Sequence, residues 1–176
     1  SPSWWTPAVE AGWKTVIDYA AIRSAIVRPL SVALGIPVIM GDQTGKMPPY
    51  PFVTYKMTSP YLAPAHGVED VENVDGGIRR TQEKQVEVVF SFTVHARDAD
   101  DAYQRCYRLI EFFDFTGRDT MRGAGITVVE ITNAQNRDVF LTVEYERRVG
   151  CDVRFRVVAR SEMDDVYIES AEIERS

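Results

Sequence analysis

With 176 residues, 45% hydrophobic and 26% charged, the chain has the size and composition of one ordinary globular domain able to bury a core. Its net charge of −6 argues against a protein that grips nucleic acid by its phosphates, though not against one that DNA merely passes. Two cysteines make no disulfide framework, and no apolar run is long enough to span a bilayer.

Residues 1–14 read as an N-terminal arm. They hold Trp4, Trp5 and Trp13 among Pro2, Pro7 and Gly12, without periodicity and without the basic region of a signal peptide. Tryptophan is unfavourable in water, so the arm either folds back on its own domain or docks on another chain. Residues 15–176 read as a single α/β domain. Thr15 with Asp18 has the form of a capping box, opening a helix whose stripe is Tyr19, Ile22, Ile26, Leu30 and Leu34. Pro29 is expected to kink or split that helix, and Gly35 to close it.

Ile36–Met40 predicts a short strand, Gly41–Pro51 a turn-rich loop, and Phe52–Thr58 a second strand. Residues 60–80 read as a long irregular loop. It carries an acidic run, Glu69, Asp70, Glu72 and Asp75, and has little to bury. Such a loop is either a mobile hairpin tip or a segment that orders against a neighbouring subunit. Val86–Ala96 alternates apolar and polar residues, the signature of a strand with one face on a core. Asp98 then caps a predicted helix to Phe115, with Ala102, Cys106, Leu109, Ile110 and Phe113 facing inward and Gly117 as its stop.

A short helical piece around Met121 precedes a strand at Ile126–Thr132, a polar loop at Asn133–Asp138 and a ragged strand or arm at Val139–Tyr145. Val149–Arg160 repeats the long alternation. Val166–Ile173 predicts a last short strand. The fold class is therefore α+β: a mixed, mainly antiparallel β-sheet with helices packed on one face, plus the N-terminal arm and the long loop.

Chemistry is sparse. No phosphate loop, dinucleotide fingerprint or zinc spacing is present, so no catalytic, cofactor or metal residues are assigned and no enzyme is expected. Cys106 and Cys151 fall on predicted core faces and read as small buried hydrophobes of a reducing compartment. His95, by strand parity, points away from the core, and His66 sits in the loop; both read as surface histidines. Glu69–Asp70, Asp100–Asp101 and Asp164–Asp165 read as solvated pairs, since nothing around them raises a carboxyl pKa by burial. Arg154, Arg156 and Arg160 share one face of their strand, where Glu87 can join them. That face is either solvated or an interface with another subunit. The candidate interface residues are accordingly Trp4, Trp5, Trp13, Glu69, Asp70, Glu72, Asp75, Arg154, Arg156 and Arg160.

Gly41–Met57, GDQTGKMPPYPFVTYKM, resembles the "DQxG…P…PYxT" stretch of bacteriophage neck proteins of the tail-terminator group, and it follows a helix with an internal Arg28-Pro29, as in those proteins. A second similarity runs from Ala124 to Ala159, where AGITVVEITNAQN leads through DVFLTVEYERRVGCDVRFRVVA; the corresponding run in that family has a polar loop, then a "WEPRAxLDLRFRY"-like strand. Phe52 stands where the family more often has Tyr, and Tyr145-Glu146-Arg147-Arg148 where it more often has Trp-Glu-Pro-Arg. The resemblance covers most of residues 20–160. It implies a non-enzymatic virion protein of the neck: a homo-oligomer, a hexameric ring on the end of the tail tube. Its implied partners are the tail tube protein and the head–tail connector protein, with double-stranded DNA passing through the lumen without specific binding and no membrane. Assembly in the host cytoplasm follows from the same resemblance. A connector or tail-tube subunit, or an enzyme with an unrecognised site, are the alternatives.

Overall fold

The computed structural model describes residues 13–15, 17–62, 67–141 and 145–166. The elements in order are β1 (Trp13–Thr15), α1 (Tyr19–Leu34), β2 (Val38–Met40), β3 (Phe52–Leu62), β4 (Val68–Val74), β5 (Gly77–Ala96) and α2 (Ala99–Glu111). A π-helical turn (Phe112–Thr116), α3 (Arg118–Gly123), β6 (Ile126–Ile131), β7 (Gln135–Asn136), β8 (Val139–Phe140) and β9 (Tyr145–Val166) follow. The fold is mixed α+β with a mainly antiparallel sheet, as the alternation predicts; β2 against β3 is a parallel pair. Two compact units share the chain. One is residues 1–17, 63–85 and 158–176; the other is residues 18–62 and 86–157.

The larger unit orders its strands β6–β9–β5–β3–β2. Along β5 the even-numbered residues Val86, Val88, Phe90, Phe92, Val94 and Ala96 are all buried, and on β9 so are Val149, Cys151, Val153, Phe155 and Val157. A cluster of rings fills the centre. Phe113 lies 5.1 Å from Phe92 and 5.3 Å from Phe155, and Phe90 meets Phe155 edge-on at 5.7 Å. Edge-to-face geometry lets the positive rim of one ring meet the negative face of the next, and burying aromatic area of this size dominates the stability of a small core. Cys106 and Cys151 are both buried and both free.

Local corrections to the sequence reading have physical causes. Thr15 belongs to β1, and the Asp18 carboxylate caps α1, accepting from the Ala21 N–H at 3.1 Å. The helix runs unbroken through Pro29. Tyr19 is 40% exposed rather than part of the buried stripe, with the Arg23 guanidinium over its ring. The predicted helix to Phe115 ends as α-helix at Glu111 and continues as a π-helical turn that brings Phe112 and Phe113 inward together. Gly117 follows at an ordinary negative φ of −97°. Glycine is required there for space, because a Cβ would stand 2.5 Å from the Phe112 ring.

The described part of residues 60–80, which is 60–62 and 67–80, is not irregular. In the smaller unit β4 and β5 form an antiparallel hairpin, Val74 pairing with Gly77 around Asp75 and Gly76. Gly76 takes φ 81°, a conformation open to glycine at no steric cost. Charge pairs replace a core along this hairpin: Arg80 holds Glu69 at 2.8 Å and reaches Asp165 at 3.7 Å, and Arg79 holds Asp164 at 2.9 Å. Hydrophobicity could not announce strands that bury so little. β1 pairs with β9 in the same unit, and β9 runs without a break to Val166 instead of restarting there. Residues 167–173 of the predicted last strand lie outside the described residues.

Candidate functional site

The polar face of the larger unit's sheet is neither bare nor simply solvated. His95 is 4% exposed, against the expectation of a surface histidine. Parity does turn it away from the ring cluster, but on that side it meets Phe52 and the buried Glu146, while Arg137 lies over the neighbouring Ser91 and Thr93. Phe52 stacks on the imidazole at 4.6 Å. Nε2 lies 2.8 Å from the Thr54 hydroxyl, and Nδ1 faces Oε1 of Glu146, itself buried. Oε2 of Glu146 accepts from Arg148 at 2.7 Å.

Protonation follows from this geometry. Burial pushes the His95 pKa below its ordinary value, outweighing the Glu146 carboxylate that would raise it. Glu146 feels burial in the opposite sense, yet hydrogen bonds from Arg148 and His95 hold its carboxyl below the usual range. A neutral imidazole beside an ionised carboxylate must carry its proton on Nδ1, leaving Nε2 to accept from Thr54. Hydroxyl, imidazole and carboxylate in line is also the order used by nucleophilic hydrolases. Here, however, the carboxylate is shared with Arg148 and one face of the imidazole is covered by Phe52. What the line does is tie β3, β5 and β9 together across the sheet.

Arg137 forms a second clasp. Its guanidinium donates to Ser91 Oγ and Thr93 Oγ1, both at 2.9 Å, and meets Asp152 at 3.4 Å. It crosses above Gly150, where a Cβ would stand 2.6 Å from Arg137 Nη1 and 2.5 Å from the Phe92 carbonyl oxygen. Asp138 completes the rim. Desolvation works to raise its pKa, but hydrogen bonds from the Arg148 N–H, Asn136 and Arg147 keep it low.

The candidate interface residues divide between these surroundings. Arg154 and Arg156 flank Glu87, which is 6% exposed; Oε1 accepts from Arg156 at 3.1 Å and Oε2 faces Arg154 at 3.6 Å. Glu130 approaches Arg154 at 4.0 Å. Arg160 belongs to the smaller unit, with Glu83 at 3.8 Å and Glu162 at 3.0 Å. Glu69, Asp70 and Glu72 lie on β4 and Asp75 in the turn. Trp13 is in β1, and Trp4, Trp5 and His66 lie outside the described residues. Sequence reasoning missed Glu146, Arg148 and Arg137; the one signal available was the charge run Glu146-Arg147-Arg148 placed just before a long apolar alternation.

Among the described residues no group of His, Cys, Asp and Glu is arranged to hold a metal ion, and no helix is long and apolar enough to cross a membrane. Comparison with curated proteins finds no match. A family model for the phage neck terminator protein matches residues 19–175, which takes in every element from α1 onward. With a buried polar network that ties strands together and a match over that length, the chain belongs to the phage neck terminator protein family, structural proteins of the bacteriophage neck and not an enzyme family.

Proposed function

We propose that this protein forms a ring, hexameric in the working form, that closes the end of the tail tube and joins it to the head connector. The family match across residues 19–175 carries the reading. The surface supports it: an exposed acidic strand at β4 and a sheet face bearing Arg154 and Arg156 are features suited to contact between subunits. Its partners are then further copies of itself, the tail tube protein and the head–tail connector protein. It assembles in the host cytoplasm and stays in the virion neck, while double-stranded DNA passes through the lumen without specific binding. The net charge of −6 favours such a lumen, since fixed cations there would hold the phosphates.

The test is the mass of the purified protein by light scattering, with electron microscopy of tail tubes assembled in its presence. Rings, and tubes capped at a fixed length, are expected. A protein that stays monomeric and leaves tube growth unchanged would overturn the proposal.

A further inference from the structure

Strand β4 pairs with β5 on one side, and no other strand pairs with it among the described residues. Its residues are almost all exposed, including Val68 at 75% and Val71 at 56%. An edge strand showing valines and unpaired backbone groups invites another chain, and acids along it decide which chain is admitted. Three acids stand on β4, and among the described residues only Glu69 has an ion-pair partner, Arg80. Asp70 accepts from the neighbouring Val71 N–H, and neither it nor Glu72 has an ion pair among the described residues. Glu72 lies opposite Arg79 and feels its charge, but the Arg79 guanidinium gives its hydrogen bond to Asp164.

The complementary patch lies on the larger unit. Arg154 and Arg156 share a single close carboxylate, Glu87, which spends one oxygen on each; Glu130 reaches Arg154 only at 4.0 Å and is 59% exposed at its side chain. Nε of Arg156 is buried without an acceptor. Both arginine side chains remain near 40% exposed. Donors therefore outnumber acceptors here, whereas on β4 carboxylates outnumber cations.

We infer that Asp70 and Glu72 on β4 of one copy dock on Arg154 and Arg156 of the next. The contact joins two different patches, so it repeats head to tail, and such contacts close into rings when the rotation allows. The inference rests on the ring reading and specifies its subunit contact. Arginine suits it because a planar guanidinium pairs with an incoming carboxylate while keeping a bond to Glu87.

Full-length protein tests it by sedimentation, with circular dichroism as the check on folding. Wild type is expected to assemble, and D70K/E72K to keep its fold but sediment as one chain of 19.9 kDa. R154E/R156E is expected to do the same alone. Mixed in equal amounts the two variants should reassemble, because each supplies one intact patch and the two reversed patches also complement. A monomeric wild type would sink the ring reading and this contact with it. An assembled wild type beside an equally assembled D70K/E72K, or two folded variants that fail to reassemble on mixing, would overturn the contact alone. Should R154E/R156E not fold, R154K/R156K mixed as heavy and light isotopic copies and treated with a zero-length carbodiimide replaces it. Cross-links from those lysines to residues 68–75 of the other copy are expected; their absence from assembled protein overturns the proposal.

Discussion

Oε1 of Glu146 faces Nδ1 of His95, and each side chain is about 5% exposed. Protons are the quantity this pair controls. His95 has its pKa lowered in the folded state, so the unfolded chain takes up a proton first as pH falls through the ordinary value of 6.5. Glu146 and Asp138 also have lowered values, so their stabilisation is present above the ordinary 4.5 and 3.8 and is lost as pH falls through the folded values. The signs agree: stability should fall steadily on acidification from about pH 7. Denaturant midpoints measured between pH 7 and 4 check this, and the part of the slope between pH 7 and 5 should vanish in His95→Gln.

Truncating Glu146 to Ala should cost ~2–4 kcal/mol, because it strips buried His95 and part-buried Arg148 of their acceptor together. Urea unfolding measures it. A change within roughly 0.5 kcal/mol would show that water replaces the carboxylate freely.

The ring cluster should be costlier still. Phe90→Ala and Phe155→Ala each remove a fully buried aromatic and should destabilise by ~3–5 kcal/mol. The two rings touch, so the double variant should cost less than the sum of the singles.

Gly150→Ala is a one-carbon test of the Arg137 clasp. The new methyl would press on the Phe92 carbonyl, which is backbone and cannot swing aside, so a loss of ~1–3 kcal/mol is expected. Arg137→Ala should relieve only the side-chain part of that clash, leaving most of the loss in the double variant.

Duplex DNA should bind weakly if at all. Fluorescence anisotropy at low and moderate salt is expected to show no steep salt dependence. Tight, salt-sensitive binding abolished by R154E/R156E would mean that those arginines serve phosphates, not Glu87 and a neighbouring subunit.

Much of the fold was legible because β5 and β9 keep strict alternation where a core lies beneath them, and α2 keeps its stripe. Glu87 and His95 broke that reading. Parity says which face a residue takes, but not whether a distant segment will cover the face, and at His95 the cover comes from Phe52, Thr54 and Glu146, all more than 40 positions away. The β4–β5 hairpin escaped for the opposite reason. Its strands are held by a ladder and by Arg79, Arg80 and their acids, so hydropathy had nothing to detect, though Asp75-Gly76 was a turn signal in plain sight. The acids and arginines named as interface candidates take own-chain partners set by register that no local pattern encodes.

β5 and β9 span 20 and 22 residues without interruption. A single residue inserted midway along either would reverse the parity of everything beyond it, carrying charged side chains to the inside and phenylalanines to the outside. Length changes among relatives are therefore expected at Asp75–Gly76, in the Gly41–Pro51 loop and between β6 and β9, while these two strands keep their residue count even where their composition drifts.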